Sequence, residues 1–183
     1  MHTSLNTTPS GTTSYRVWDP LVRVFHWALV TCVLANYFVT EAGETLHQWL
    51  GYGACALVTG RLVWGFVGTT HARFSDFWPT SRWVYGHICS LLSGNPTHYI
   101  GHSPLGAVMM LTLMVLVLLL GLTGWMQGLD QFFGDESIME MHEVLSHAII
   151  MLAGLHGMAA VILGHLEKTN LIKAMLTGVK HRQ

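Results

Sequence analysis

Histidine is the side chain to follow in this 183-residue chain, which has twelve of them against nine Lys and Arg together. Four, His142, His147, His156 and His165, fall in one apolar stretch (EMHEVLSHAIIMLAGLHGMAAVILGHLEK) that carries no charge from Val144 to Leu166. Ionisable side chains inside a membrane-length helix are costly and are functional candidates by default. Helical geometry sorts these four. At about 100° per residue, His142 and His156 face within about 40° of each other and lie about 21 Å apart along the axis. His147 is turned about 140° from His142, and His165 about 180° from His156. Two imidazoles on one face, one near each edge of a bilayer, need partners at both depths.

Three further apolar runs supply them. A first span, about 21–39, holds His26 in RVFHWALV, and an acidic turn over 40–44 follows. A second, about 46–67, is opened by His47 in LHQWLGYG; a third, about 104–126, has neither charge nor histidine and is expected to serve packing. An acidic loop with Asp130, Asp135 and Glu136 leads to the fourth, about 144–166. Each run can cross about 30 Å of hydrocarbon as a helix. The expected fold class is an all-α membrane protein, a four-helix transmembrane bundle forming one domain over 16–183. Residues 1–15 are Ser/Thr-rich and lack the basic start of a cleaved signal peptide, so they read as a mobile tail.

Composition agrees. With 51% hydrophobic and 10% charged residues and a mean hydropathy of +0.42, the chain is too apolar for an ordinary soluble domain. A net charge of −1 gives no case for nucleic acid. Cys32, Cys55 and Cys89 form no CxxC or CxxCH, which argues against a disulfide framework, a zinc ribbon or covalently attached haem and for buried thiols.

Charge sets the expected orientation. With four spans the termini share a side with the loop over 68–103. Every Lys and Arg falls on that side or at its membrane edge: Arg16, Arg23, Arg61, Arg73, Arg82, Lys168, Lys173, Lys180 and Arg182. The other side carries only acids, from Glu41 and Glu44 to Glu140. The positive-inside rule puts both termini of this multi-pass membrane protein in the cytoplasm. Within the loop, residues 81–93 (SRWVYGHICSLLS) place Trp83, Val84, Ile88, Leu91 and Leu92 along one helical face, as in a helix lying in the interface. Residues 168–180 read as a short basic amphipathic tail.

Depth pairs the histidines. His26 lies about 20 Å below the outer end of the first span, and His156 about 21 Å below the outer start of the fourth. His47 and His142 both sit at the outer edge. One pair per leaflet suits a haem b, whose iron accepts a histidine on each face, leaves no open position and carries electrons. Gly51 one turn after His47, and Gly154 and Gly157 around His156, leave room for a ring or another helix. Spacing alone keeps two alternatives open: an ion or metal pathway, although zinc favours three or four clustered ligands, and histidines merely hydrogen-bonded in a core, which is the reading preferred for His147 and His165.

The quoted segments RVFHW, LHQWLGYGACALVTGRLVWG, MHEVLSHAIIMLAGLHGMAAVILGH and NLIKAMLTGVKH resemble the bacterial di-haem cytochrome b family over nearly the whole chain. This family includes the b-type subunit of nickel-iron hydrogenases and small cytochrome b-561 proteins. The resemblance implies two b haems in a four-helix core, with His26 and His156 for the cytoplasmic-side haem and His47 and His142 for the outer one. It implies electron transfer between a membrane quinone, ubiquinone or menaquinone, and a redox partner such as a periplasmic c-type cytochrome or a dehydrogenase or hydrogenase subunit. The segments ARFSDFWPTSR and HYIGHSPLGA look like the hydrogenase-subunit branch, which commonly has a further span that this chain lacks. The rival functions are a quinol-dependent superoxide oxidase and a histidine-lined transporter, which would be colourless.

Arg61 near the inner edge of the second span is a candidate for a haem propionate, since Arg meets carboxylates in a bidentate fork; snorkelling to the headgroups is the competing reading. Arg16 and Arg23 are lesser propionate candidates. His98 and His102 read as interfacial loop residues, with a quinone headgroup as a potential contact. Trp18, Trp27, Trp49, Trp64 and Trp125 fit an aromatic belt, and Met109, Met110 and Met114 fit packing.

Overall fold

The computed structural model describes residues 6–7, 13–16, 19–68, 73–76, 78–93, 103–166 and 170–182. Four helices are long and apolar enough to cross a membrane: α1 (Pro20–Phe38), α2 (Thr45–Val67), α4 (Pro104–Gln127) and α5 (Glu136–Leu166). Between α2 and α4 lies the shorter α3 (Ser81–Leu92), and α6 (Leu171–Thr177) follows α5. The protein is thus an all-α, four-span membrane protein, with one small addition at its chain ends.

Local chemistry starts each helix. Pro20 and Pro104 occupy first helical positions, where a missing N–H costs nothing. Asp19 Oδ1 accepts from Leu21 N at 2.8 Å and Ser103 Oγ from Gly106 N at 3.2 Å, meeting amide groups that a helix start leaves orphaned. Asp135 caps α5 by accepting from Ser137 N at 2.9 Å and Ile138 N at 3.3 Å. That cap begins α5 eight residues before the apolar run, so its 31 residues extend over about 46 Å. Hydrocarbon accounts for about 30 Å of that, and the turns bearing Glu136, Glu140 and Glu143 reach beyond it.

Two compact units emerge, and each long helix contributes to both. One comprises Val24–Trp64 and Met109–Gly154. Its buried side chains include Ala54, Val58 and Arg61 of α2, Met114, Val117 and Thr123 of α4, and Ile138 and Ile149 of α5. Residues 54, 58 and 61 follow helical spacing, so α2 turns one narrow stripe inward. At Gly121 a side-chain Cβ would run into Cys55 Sγ, which holds α4 against α2. The outward surfaces carry Leu34, Tyr52, Val115, Leu122, Val144 and Met151, all exposed, as lipid-facing helices require.

The other unit comprises Met1–Arg23, Gly65–Val108 and Leu155–Gln183. Its segment Phe74–Asp76 forms a single tight turn whose Phe74 ring is buried against Gly65. Helix α3 is capped by Thr80, whose hydroxyl accepts from Trp83 N. Its faces differ from the sequence expectation. The buried residue is His87, with Trp83, Val84 and Leu91 partly covered, whereas Ile88 and Leu92 are exposed and join Tyr85 in an outward apolar stripe. Two sides of this short helix are therefore apolar, and the expected single face splits between them.

The chain ends also differ from the expected tail. Strands β1 (Asn6–Thr7), β2 (Thr13–Arg16) and β3 (Val179–Arg182) form an antiparallel sheet in the order β1-β2-β3. Thr13 is opposite Arg182 and Arg16 opposite Val179. Gly178 makes this possible. Its φ of +82° ends α6 in the left-handed region and turns the chain into β3.

Gly65→Ala is expected to destabilise the protein by about 1–3 kcal/mol, because its methyl group occupies the space of the Phe74 ring. Thermal unfolding in detergent should show a lowered midpoint, partly recovered in Gly65→Ala/Phe74→Leu.

Candidate functional site

The first turn of α2 carries His47 and the second turn of α5 carries His142, both within the unit formed by Val24–Trp64 and Met109–Gly154. Their ring centroids are 6.2 Å apart with the planes at 58°. Two rings sharing a direct hydrogen bond would have centroids about 5 Å apart. Two rings bound through nitrogen to one metal atom, at about 2.0–2.1 Å each, would have them about 6.3 Å apart. The observed 6.2 Å is close to the second value and leaves room for one atom between the rings.

Each ring is anchored at its other nitrogen. His142 Nδ1 lies 2.8 Å from Thr123 Oγ1 on α4. Thr123 directs its hydroxyl at the carbonyls of Leu119 and Leu120, at 3.0 and 3.2 Å. His47 Nδ1 lies 3.2 Å from Thr40 Oγ1, just past the end of α1, and Thr40 in turn donates to Asn36 O at 2.8 Å. With each hydroxyl proton on its carbonyl, the oxygen can accept Nδ1–H from the ring, which is the tautomer that leaves Nε2 a lone pair. Space beside His142 is held open by Gly124, where a Cβ would lie 3.3 Å from His142 Cε1.

Sequence reasoning brings His47 and His142 together but misses Thr40 and Thr123. Thr40 reads as part of an acidic turn. Thr123 lies in the histidine-free span, where a threonine bonded to the carbonyl four residues back is commonplace. The third span is accordingly more than packing, since it supplies Thr123 and Gly124 to one of the two rings.

The other histidines separate by their surroundings. His147 is exposed on α5, with Nδ1 donating to Glu143 O at 2.8 Å and its ring edge-on to Tyr37 at 6.0 Å. His165 is exposed in the last turn of α5. His26 is partly buried on α1, edge-on to Trp27 at 5.2 Å. His156 is partly buried on α5, and a Cβ at Gly154 or Gly157 would meet no atom within 4 Å, so the helix surface around it is open. His98 and His102 lie outside the described residues. Among the described residues, no three His, Cys, Asp or Glu come together as a metal cluster.

Arg61 is 2% exposed, in the inward stripe of α2. A snorkelling arginine needs its end in water, so burial removes that reading. Arg23 has its Nε buried with no hydrogen-bond partner among the described residues, and Arg16 lies in β2 opposite Val179. Trp49 and Trp125 are exposed, as a belt requires, while Trp27 and Trp64 have buried indole nitrogens. Met114 is buried, as packing demands. Cys32 and Cys55 are partly buried, but Cys89 on α3 is exposed, contrary to the expectation of buried thiols.

Residues 17–178 match the family model described as prokaryotic cytochrome b561. The chain belongs to this cytochrome b family. It is 27% identical to the probable Ni/Fe-hydrogenase B-type cytochrome subunit of Rhodobacter capsulatus, over 91% of this chain and 81% of that protein. The proteins of the same name from Azotobacter vinelandii and Rhizobium leguminosarum bv. viciae are 24% and 25% identical, over 91% and 90% of this chain and 88% of each. No solved structure matches. The R. capsulatus alignment runs over 217 positions, more than the 183 residues here, so that relative has internal sequence without a counterpart in this cytochrome. The protein is therefore a membrane-embedded, di-haem cytochrome b-like electron-transfer protein. The residues fit such a cofactor at the His47–His142 pair, through the ring separation and the anchoring of each Nδ1 beside a threonine hydroxyl.

Gly124→Leu is expected to push the His142 ring off Thr123 and to halve the haem content of purified protein, measured as pyridine haemochrome. Gly124→Ala, whose methyl only touches the ring, should keep most of it.

Proposed function

We propose that this cytochrome carries electrons across the bacterial inner membrane between a quinone pool and a periplasmic redox partner, using two bis-histidine b haems. The observation that carries the reading is the 6.2 Å separation of His47 and His142, with each Nδ1 on a hydroxyl. A b haem held on both faces supplies one-electron chemistry and has no open coordination position. His47 and His142 present Nε2 toward the outer site. His26 and His156 are assigned to the inner one; His156 shares α5 with His142 about 21 Å away along the axis.

Arg61 is assigned to a propionate. Its burial places a guanidinium where the local dielectric is low and a carboxylate partner is held strongly. Arg16 is a second propionate candidate from β2. The distribution of Lys and Arg supports an orientation with both termini in the cytoplasm. The opposite, periplasmic side exposes Glu41, Glu44, Asp130, Asp135, Glu136 and Glu140, a surface suited to a basic redox partner. Similarity to hydrogenase B-type cytochrome subunits favours a hydrogenase-type partner over a free c-type cytochrome. Ubiquinone or menaquinone serves as the exchangeable membrane carrier.

Haem content and spectra of detergent-purified protein test this. Two low-spin b haems per chain are expected. His47→Ala or His142→Ala should each remove one, His26→Ala or His156→Ala the other, and His147→Ala or His165→Ala neither. A colourless wild-type protein, or loss of haem with His147→Ala, would sink the assignment. In redox titrations, Arg61→Gln should lower one midpoint potential, and Arg61→Lys should lower it less.

A further inference from the structure

Metal-bound histidines generally donate their second ring N–H to a carboxylate, a backbone carbonyl or water. In the His47–His142 pair each Nδ1 meets a neutral threonine hydroxyl from an element that carries neither histidine, with the Leu120 carbonyl also beside the His142 ring. Each hydroxyl is held in turn. Thr123 bonds the Leu119 and Leu120 carbonyls, and Thr40 bonds Asn36 O at 2.8 Å and Asn36 Oδ1 at 3.1 Å. A threonine in an apolar helix satisfies itself through such a carbonyl bond alone. The ring contact is therefore additional, and it occurs twice, from two different elements, on the two members of one pair.

Resting on the reading of His47 and His142 as axial ligands, we propose that Thr40 and Thr123 are positioning residues that lower the reduction potential of the haem those histidines hold. By accepting from Nδ1–H, each hydroxyl excludes the tautomer whose lone pair points away from the iron. It also draws the ring proton toward oxygen, which makes Nε2 a stronger donor and favours the ferric state. A hydroxyl does this without adding a charge to the half-buried space between the helices, where an unpaired carboxylate would be costly. The two threonines are thus the neutral counterpart of the usual carboxylate partner.

The test is spectroelectrochemical titration of the full chain, purified with its haems, for Thr123→Val, Thr40→Val, the double variant and Thr123→Ser. Valine keeps the shape of threonine and removes the acceptor. Partners of this kind are worth about 10–100-fold in metal-site properties. At the low end, the ferric:ferrous preference at one haem falls about tenfold, which raises its midpoint by about 59 mV for one electron. The expected result is two haems per chain, one midpoint raised in each valine variant and further in the double, the other midpoint unmoved, and Thr123→Ser at the parent value. Two retained haems with unmoved midpoints in Thr123→Val overturn the inference. If Thr123→Val does not accumulate, Thr40→Val decides, since residue 40 lies beyond the end of α1, and an unmoved midpoint there overturns it equally. Retention of both haems by His142→Ala overturns instead the ligand reading beneath it, whatever the threonine variants do.

Discussion

The hydrogen bond from His142 to Thr123 is the constraint on which the site depends. An imidazole half-buried between helices must find protein partners or a metal for the nitrogens it turns away from water. Thr123 meets one nitrogen and frees the other for a ligand role. To do so, α4 must come close to α5 and present that residue at the right rotation. The glycines of α4 provide the approach, because a side chain at Gly121 would strike Cys55 and one at Gly124 would press on the histidine ring. A helix with no charge and no histidine thus determines where a histidine on its neighbour can point.

The same economy governs α2. Ala54 and Val58 are small enough to bury an inward stripe, and Arg61 continues it. A buried guanidinium is tolerable only where acceptors surround it, which makes the inward end of this stripe the most electrostatically demanding place on the helix. Lipid-facing positions carry no such demand, and there the chain uses Leu, Val and Met freely.

Hydropathy makes the four spans legible, and the ends of α1, α2 and α4 follow expectation within a residue or so because Pro20 and Pro104 punctuate the chain there. It misplaces the start of α5, because hydropathy senses the thickness of hydrocarbon, whereas Asp135 starts the helix in water. The meeting of His47 and His142 is legible from depth alone, since both begin at the same edge. Thr40 and Thr123 are not, because nothing in a threonine's neighbours announces that its hydroxyl faces a ring. The face of α3 is misread because apolar residues occupy both sides of the helix while a polar one, His87, is buried. The strands at the chain ends are polar and short, with no alternation to betray them.

Helix α5 carries His142 and His156 on one unbroken backbone. It therefore acts as a ruler. The vertical interval between the two depths is written in covalent geometry and does not change if neighbouring helices tilt. The ruler also has a phase. One inserted residue between the two histidines would lengthen it by only about 1.5 Å but swing one imidazole by about 100°, whereas four would add about 6 Å and keep the two on nearly one face. Spacing along the helix can thus change in this scaffold only by nearly whole turns, so the interval between the two histidines is stepped by the pitch of a single helix.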